Sequence, residues 1–158
     1  MSKVEQTLVI VKPDALQRAL VGSIIQRFEQ KGLKLVAVKM MSLDTAILDR
    51  HYEHHVGKAF YAGLVQFMSS APCIVMIWQG VEAIATVRKL CGITKSREAE
   101  MGSIRGDFAM SQQMNLIHSS DSIASATREM GIFFPSESEI FNWKSHIEES
   151  VYADDEVI

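Results

Sequence analysis

The period of apolar and polar positions changes repeatedly along the chain, and each change predicts an element. Thr7–Val11 is a short apolar run that meets Lys12-Pro13-Asp14. Proline cannot donate to a central ladder, so a strand should stop there. Val21, Ile24, Ile25 and Phe28 recur at helical spacing, and Gly32 after Lys31 marks the end of that helix. Val36, Val38 and Met40 alternate with Leu35, Ala37 and Lys39, the signature of a strand. Asp44 offers a cap for a short helix reaching about His51. Phe60–Ser69 reads as another helix, with Phe60, Leu64 and Phe67 on one face, broken by Ser70-Ala71-Pro72. Cys73–Trp78 is a continuous apolar strand closed by Gln79-Gly80, and Val81, Ile84, Val87 and Cys91 fit a helix ended by Gly92. From Ile93 to about Met114 periodicity vanishes, and loops of that length inside a compact domain are often functional. A short strand over Leu116–His118 follows. Ser120-Asp121-Ser122 then caps a helix reaching Met130, with Gly131 as its stop.

With the small helices set aside, the order is βαββαβ, the ferredoxin-like arrangement. The expected class is α+β, a four-stranded antiparallel sheet covered by helices, with one long loop beside the site. One domain over residues 1–158 is expected, because 158 residues suffice for a single core. Hydrophobic residues make up 47% and charged residues 22%, a balance that rules out wholesale disorder. Sixteen basic against 19 acidic residues give a net charge of −3, so no positive field drives non-specific nucleic-acid binding. The apolar runs are too short to span a bilayer, and Met1–Gln6 has no stretch suited to a signal peptide. Cys73 and Cys91 lie far apart in apolar segments, which points to reduced thiols and a cytoplasmic protein without membrane partners. The nine methionines form no stripe and read as packing filler. The tail Glu137–Ile158, with Glu148, Glu149, Asp154, Asp155 and Glu156, reads as a solvated end or a subunit contact, and His146 within it as solvent-facing.

Neither standard glycine-rich phosphate motif occurs. A nucleotide site would therefore rely on side chains, with Lys12 at a strand end, Arg88 on a helix and Arg105 in the long loop as candidates. Taken singly, each reads first as a solvated surface charge. His118 ends an apolar strand just before a helix start, where free N–H groups favour anions. A neutral imidazole there is either a nucleophile or a hydrogen-bonded structural group. His51 and His55 stand four apart, a spacing that places both on one helix face. They lack an evident third metal ligand, so a helix surface is the simpler reading. Phe60 and Tyr61 suit packing or base stacking, and Tyr52 suits the core or a polar contact near the site.

Together these segments resemble the nucleoside diphosphate kinase family over almost the whole chain. Asn115-Leu116-Ile117-His118-Ser119-Ser120-Asp121-Ser122 is similar to the family's N-x-x-H-G-S-D-S motif. Val11-Lys12-Pro13-Asp14, Gly92-Ile93-Thr94 and Gly102–Phe108 support it in the right order. The resemblance implies reversible, ping-pong transfer of a γ-phosphoryl group from a nucleoside triphosphate, mainly ATP, to a nucleoside diphosphate through phosphorylated His118. ATP, ADP, GTP and GDP are the implied partners, and nucleic acid is not required. It implies that Glu129 bonds the other ring nitrogen and that Ser120 bonds near Glu129. Arg88, Thr94 and Arg105 would hold phosphates. Lys12 and Asn115 would bind the sugar hydroxyl and, with Tyr52, support the transferring group. Phe60 would stack on the base, and Leu64 would also belong to the nucleotide-binding set. Mg²⁺ would arrive on the nucleotide phosphates, with no protein metal ligand, and a homo-oligomer is implied.

The chain departs from the family pattern at named places. Ala15 and Ser119 stand where the family has glycine, and a left-handed backbone at 119 would make serine costly and tune activity down. Ala59 replaces a proline before Phe60, Lys95-Ser96 replaces an Asn-Pro-like pair, and Gln112-Gln113-Met114 is atypical. The alternative is a catalytically impaired nucleotide-binding relative. An RNA-binding ferredoxin-like module is disfavoured by the acidic balance and by the lack of an RNP-like aromatic motif.

Overall fold

The structure, a computed structural model, describes residues 3–146, 148–153, 155 and 156. Of the acidic tail residues, Asp154 lies outside the described residues, as do Met1 and Ser2 of the N-terminal stretch. Four strands, β1 (Val4–Val11), β2 (Lys34–Met41), β3 (Cys73–Val81) and β4 (Ile117–Ser119), form one antiparallel sheet in the order β2-β3-β1-β4. The helices are α1 (Pro13–Gln17), α2 (Val21–Gln30), α3 (Thr45–His51), α4 (Tyr61–Met68), α5 (Ala83–Cys91), α6 (Ile104–Phe108), α7 (Ile123–Phe133) and α8 (Glu148–Val151). The expected ferredoxin-like order holds.

Strand residues alternate between two cores, as a period of two requires. Val9, Val11, Met76 and Trp78 pack under α2 and α5 through Ile24, Phe28, Val87 and Cys91. Leu8, Ile10, Val75 and Ile77 face the opposite side, where Leu48 of α3, Met68 of α4 and Phe133 of α7 cover them. Covered on both faces, β1 and β3 need the continuous apolar runs seen in the sequence. The two free, buried cysteines fall in different cores, Cys91 in the first and Cys73 in the second.

Several boundaries differ from the pattern-based expectation. β3 runs on through Gln79 and Gly80 to Val81, because all three pair with β1. Val81 is thus a strand residue, and Glu82 turns into α5 with a left-handed φ of 48°. Gly131 lies inside α7, which continues to bury Phe133. In β2 a bulge between Leu35 and Ala37 puts both Val36 and Ala37 in the core and leaves Val38 and Met40 exposed. The aperiodic stretch Ile93–Met114 contains a 3₁₀ turn (Ser96–Glu98) and α6, whose Ser103 cap accepts from Gly106 N at 3.0 Å. Long-range ties hold it. Arg27 of α2 donates to Asp107 and to Gly102 O, and Asp107 accepts from Gly102 N. Not every methionine is filler: Met40, Met101, Met110 and Met114 are exposed, whereas Met68 and Met76 are buried.

The tail follows the outer edge of the sheet. Phe141 N donates to Val36 O at 2.8 Å, and Trp143 Nε1 donates to Leu35 O at 3.0 Å. Lys34 pairs with Glu148 at 2.8 Å, and Tyr152 Oη accepts from Val81 N at 3.1 Å. His146 is exposed, as expected.

Candidate active site

β1 is the central strand beside β4, so its C-terminal end and β4 deliver Lys12 and His118 to the same place. Pro13 ends the strand and opens α1, a position where its missing N–H is harmless. Lys12 Nζ donates to Asn115 Oδ1 at 2.8 Å, and Asn115 Nδ2 donates to Gln112 O at 2.8 Å. Leu116 between them has φ 74°, and Ile117 N donates across it to Asn115 O at 2.9 Å. That is a classic γ-turn geometry, rare and strained for a branched side chain. It is fixed on both sides: Leu116 N donates to Asp14 Oδ2 at 3.1 Å, and Leu116 O accepts from Lys12 N at 2.9 Å. Ser119, by contrast, sits in β4 opposite Val9 without a left-handed backbone, and Ala15 lies in α1 with its methyl in the core. The conformational cost anticipated at 119 is therefore absent.

His118 Nε2 lies 2.9 Å from Glu129 Oε2, and Ser120 Oγ donates to the same oxygen at 2.7 Å. Burial alone would raise the Glu129 pKa. The His118 hydrogen bond and charge, the Ser120 hydroxyl and Arg128 outweigh it and lower the net value. An ionised carboxylate only accepts, which assigns a proton to Nε2 and leaves Nδ1 as the nitrogen facing away from Glu129. The His51 ring stands edge-on to His118 at 4.6 Å and also meets Tyr52 and Phe133. His51 is 3% exposed, so the helix-surface reading is corrected. It follows Leu48 by three positions on the inner face of α3, while His55 lies beyond the helix end in a 3₁₀ turn. The two do not share a helix face. Burial, then His118 and Arg128, push the His51 pKa down to about 2, so this ring stays neutral.

These groups line a cleft of about 880 Å³, and ten of the eleven residues singled out from the sequence border it. Ser120 is the exception and stands behind Glu129. Burial, with Arg105 adding to it, lowers the Lys12 pKa to about 8. Arg105 is buried, and its Nε, Nη1 and Nη2 donate to the carbonyls of Asn115, Gly92 and Ile117. Two of its five N–H groups have no partner among the described residues and are left for a ligand. Gly92 ends α5 with φ 80°, where a Cβ would collide with Ser103 Oγ, so only glycine presents its carbonyl to Arg105 there. Arg88 of α5 and Thr94 are exposed and line the same cleft. Phe60 also lines the cleft, 54% exposed and edge-on to His55 at 5.3 Å, and Leu64 of α4 lines it too. Tyr52 packs into the second core, and burial raises its pKa.

Sequence reasoning missed Arg128, which borders the cleft, donates to Arg50 O at 3.1 Å and stands 3.8 Å from Glu129. Asp121 of the motif and the atypical Gln112 and Gln113 also line the cleft. The i, i+3 relation of Leu48 and His51, and Arg128 directly before Glu129, were the available signals.

Comparison with known proteins agrees with this geometry. The family model described as nucleoside diphosphate kinase matches residues 5–139. The nucleoside diphosphate kinase of Methanocaldococcus jannaschii is 51% identical over 138 residues, covering 87% of this chain and 98% of that protein. That of Desulfitobacterium hafniense is 49% identical over 130 residues, 82% of this chain and 87% of its own. Among solved structures, the halophilic nucleoside diphosphate kinase of Halobacterium salinarum in complex with CDP superposes with a TM-score of 0.92 at 40% identity, covering 96% of this chain and all of that one. The Borrelia burgdorferi enzyme, a transition state mimic with bound vanadate and ADP, gives 0.87 at 38% identity, covering 93% and 96%. With the predicted fold in place and the motif residues gathered around one histidine, the chain belongs to the nucleoside diphosphate kinase family, phosphotransferases that act on nucleotides.

Proposed function

We propose that His118 carries the γ-phosphoryl group between nucleotides in two half-reactions. Its Nδ1 lone pair attacks the γ-phosphorus in line as the bond to the bridging oxygen breaks and the nucleoside diphosphate leaves. A second diphosphate then attacks the phosphorus, and Nδ1 regains its lone pair. The observation that carries this reading is the 2.9 Å contact from His118 Nε2 to Glu129, itself held by Ser120 at 2.7 Å. It fixes the tautomer and offsets positive charge on the ring while the N–P bond forms. Lys12, Arg88 and the two free N–H groups of Arg105 are the groups we assign to the phosphates, with Thr94 beside them. Asn115 holds Lys12 in place, and the pair is assigned to the sugar hydroxyl and, with Tyr52, to the transferring group. Phe60 and Leu64 are assigned to the base. A stacked base without hydrogen-bond readout admits adenine and guanine nucleotides alike.

Enzymes of this family use a divalent metal ion. We take it to be Mg²⁺, and the residues present fit it. Mg²⁺ prefers oxygen ligands and is commonly held by substrate phosphates with one or two carboxylates. Lys12, Arg88 and Arg105 line the cleft and suit the phosphates that would carry the ion, so no protein ligand is called for. When bound, the ion neutralises phosphate charge. The whole chain is read as one catalytic domain with its tail as an accessory. Exposed Val38, Met40, Met110 and Met114 support a homo-oligomer. The free buried thiols support a cytoplasmic setting, and no helix among the described residues is long and apolar enough to cross a membrane. Nothing in this reading requires nucleic acid.

Incubation with γ-labelled ATP and Mg²⁺ tests the assignment. The expected result is an acid-labile, base-stable label on His118 that GDP removes as GTP. His118→Ala is expected to abolish transfer while ADP binding stays within about threefold. Nucleotide binding by the unaltered protein without label would favour the impaired relative instead, and wild-type turnover in His118→Ala would overturn the nucleophile.

A further inference from the structure

We propose that His51, His118 and Glu129 form a binding site for a divalent cation of the zinc class, and that this ion, when bound, arrests the His118 ring. The site differs from the phosphate-borne Mg²⁺ in ligands and in place. Its starting point is His51, whose two ring nitrogens are buried without a hydrogen-bond partner among the described residues. A buried imidazole left unpaired calls for a missing water or ion. Its Nδ1 lies 4.0 Å from Glu129 Oε1, and His118 Nε2 lies 2.9 Å from Glu129 Oε2. One donor atom from each of the three residues falls within 4.8 Å of the other two. Tetrahedral zinc, with bonds of about 2.0–2.2 Å, holds its ligand atoms roughly 3.3 Å apart, so closing the set takes shifts of up to about 1.5 Å.

The donor set selects the metal. Two imidazole nitrogens and one carboxylate, with a fourth position open, suit zinc and its neighbours, whereas Mg²⁺ takes oxygen ligands. All three residues border the cleft, and the His118 side chain is 22% exposed, so an ion can enter from the nucleotide side. Ser120 already orients Glu129 at 2.7 Å, the kind of support that ligating carboxylates receive. On entry the proton on His118 Nε2 passes to solvent, and the Glu129 oxygen that accepted it turns to the metal. The ring is then held on Nε2 by a cation, its Nδ1 lone pair is less nucleophilic, and phosphorylation slows. That last consequence rests on the assignment of His118 as nucleophile; the binding does not.

Metal-stripped protein titrated with Co²⁺, then with Zn²⁺, decides the matter. The expected result is the strong visible absorption of four-coordinate Co²⁺, lost as Zn²⁺ displaces it, with bound Zn²⁺ suppressing His118 labelling. His51→Gln and Glu129→Gln, each checked for folding by circular dichroism, are expected to weaken Co²⁺ binding by about tenfold or more. The proposal is overturned if the unaltered protein shows no such bands, or if labelling proceeds unchanged with Zn²⁺ bound. It is equally overturned if the bands survive His51→Gln and disappear in a His54→Gln, His55→Gln double variant. Should metal-free protein fail to label at His118, the nucleophile assignment falls while the Co²⁺ spectrum still reports on the metal.

Discussion

Lys12 is a cation kept in a place that disfavours cations. Burial and the neighbouring Arg105 lower its pKa from 10.5 to about 8, while Asp14 works the other way. A base whose folded pKa lies below its unfolded one destabilises the fold at low pH. That penalty, about 3 kcal/mol, is relieved as pH rises from about 8 to 10.5. Binding works in the opposite sense, because a phosphate stabilises the charged ammonium and so favours its protonation. The KM for nucleotide is therefore expected to rise above about pH 8, and kcat to fall with it, because Lys12 is also assigned to the transferring group. Lys12→Gln is expected to raise KM roughly ten- to hundredfold and to flatten that rise. Initial rates from pH 6.5 to 9.5 check both, and a parallel rise in KM for the variant would remove Lys12 as its source.

At the scale of an element, the turn before β4 is the strained piece. Leu116 holds φ 74° and is fully buried. Glycine there would release about 1–3 kcal/mol of strain but forfeit a core leucine worth about 2–5 kcal/mol. Leu116→Gly is expected to lower stability by about 2 kcal/mol, read as a shift in urea midpoint; a gain would mean that strain dominates. Such a turn had no local signature, since Asn115-Leu116-Ile117 carries neither glycine nor proline. Where local rules suffice, the sequence was readable. Val21, Ile24 and Phe28 announced α2, and Asp44 caps α3 by accepting from Ile47 N at 2.8 Å. Where contacts far along the chain decide, it was not. α6 is held by Arg27 across 80 positions, and β3 outruns Gly80 because β1 pairs with it. The site divides in the same way. His118, Glu129 and Lys12 stood out by motif, whereas the burial of His51 depends on α7 packing against α3.

On the scale of the molecule, the tail closes part of an open edge. Strand β2 is one of the two outer strands, and Phe141 and Trp143 occupy its Leu35–Val36 carbonyls. Unpaired edges recruit other chains, so covering one restrains unwanted association. Trp143→Ala removes the indole donor and the ring lying 5.7 Å from Lys34 Nζ. It is expected to cost about 1–2 kcal/mol, seen as a lower Tm, with turnover retained below the transition. An unchanged Tm would make the tail a passenger.

Carrying both half-reactions on His118 in one cleft also shapes how the enzyme behaves in a crowded nucleotide pool. Donor and acceptor occupy the same berth in turn, so an acceptor that arrives before the ring is charged blocks the donor behind it. Raising the diphosphate at fixed triphosphate should first speed turnover and then throttle it, and the throttling should yield to more triphosphate. The ratio of the two forms, rather than the amount of either, then governs flux.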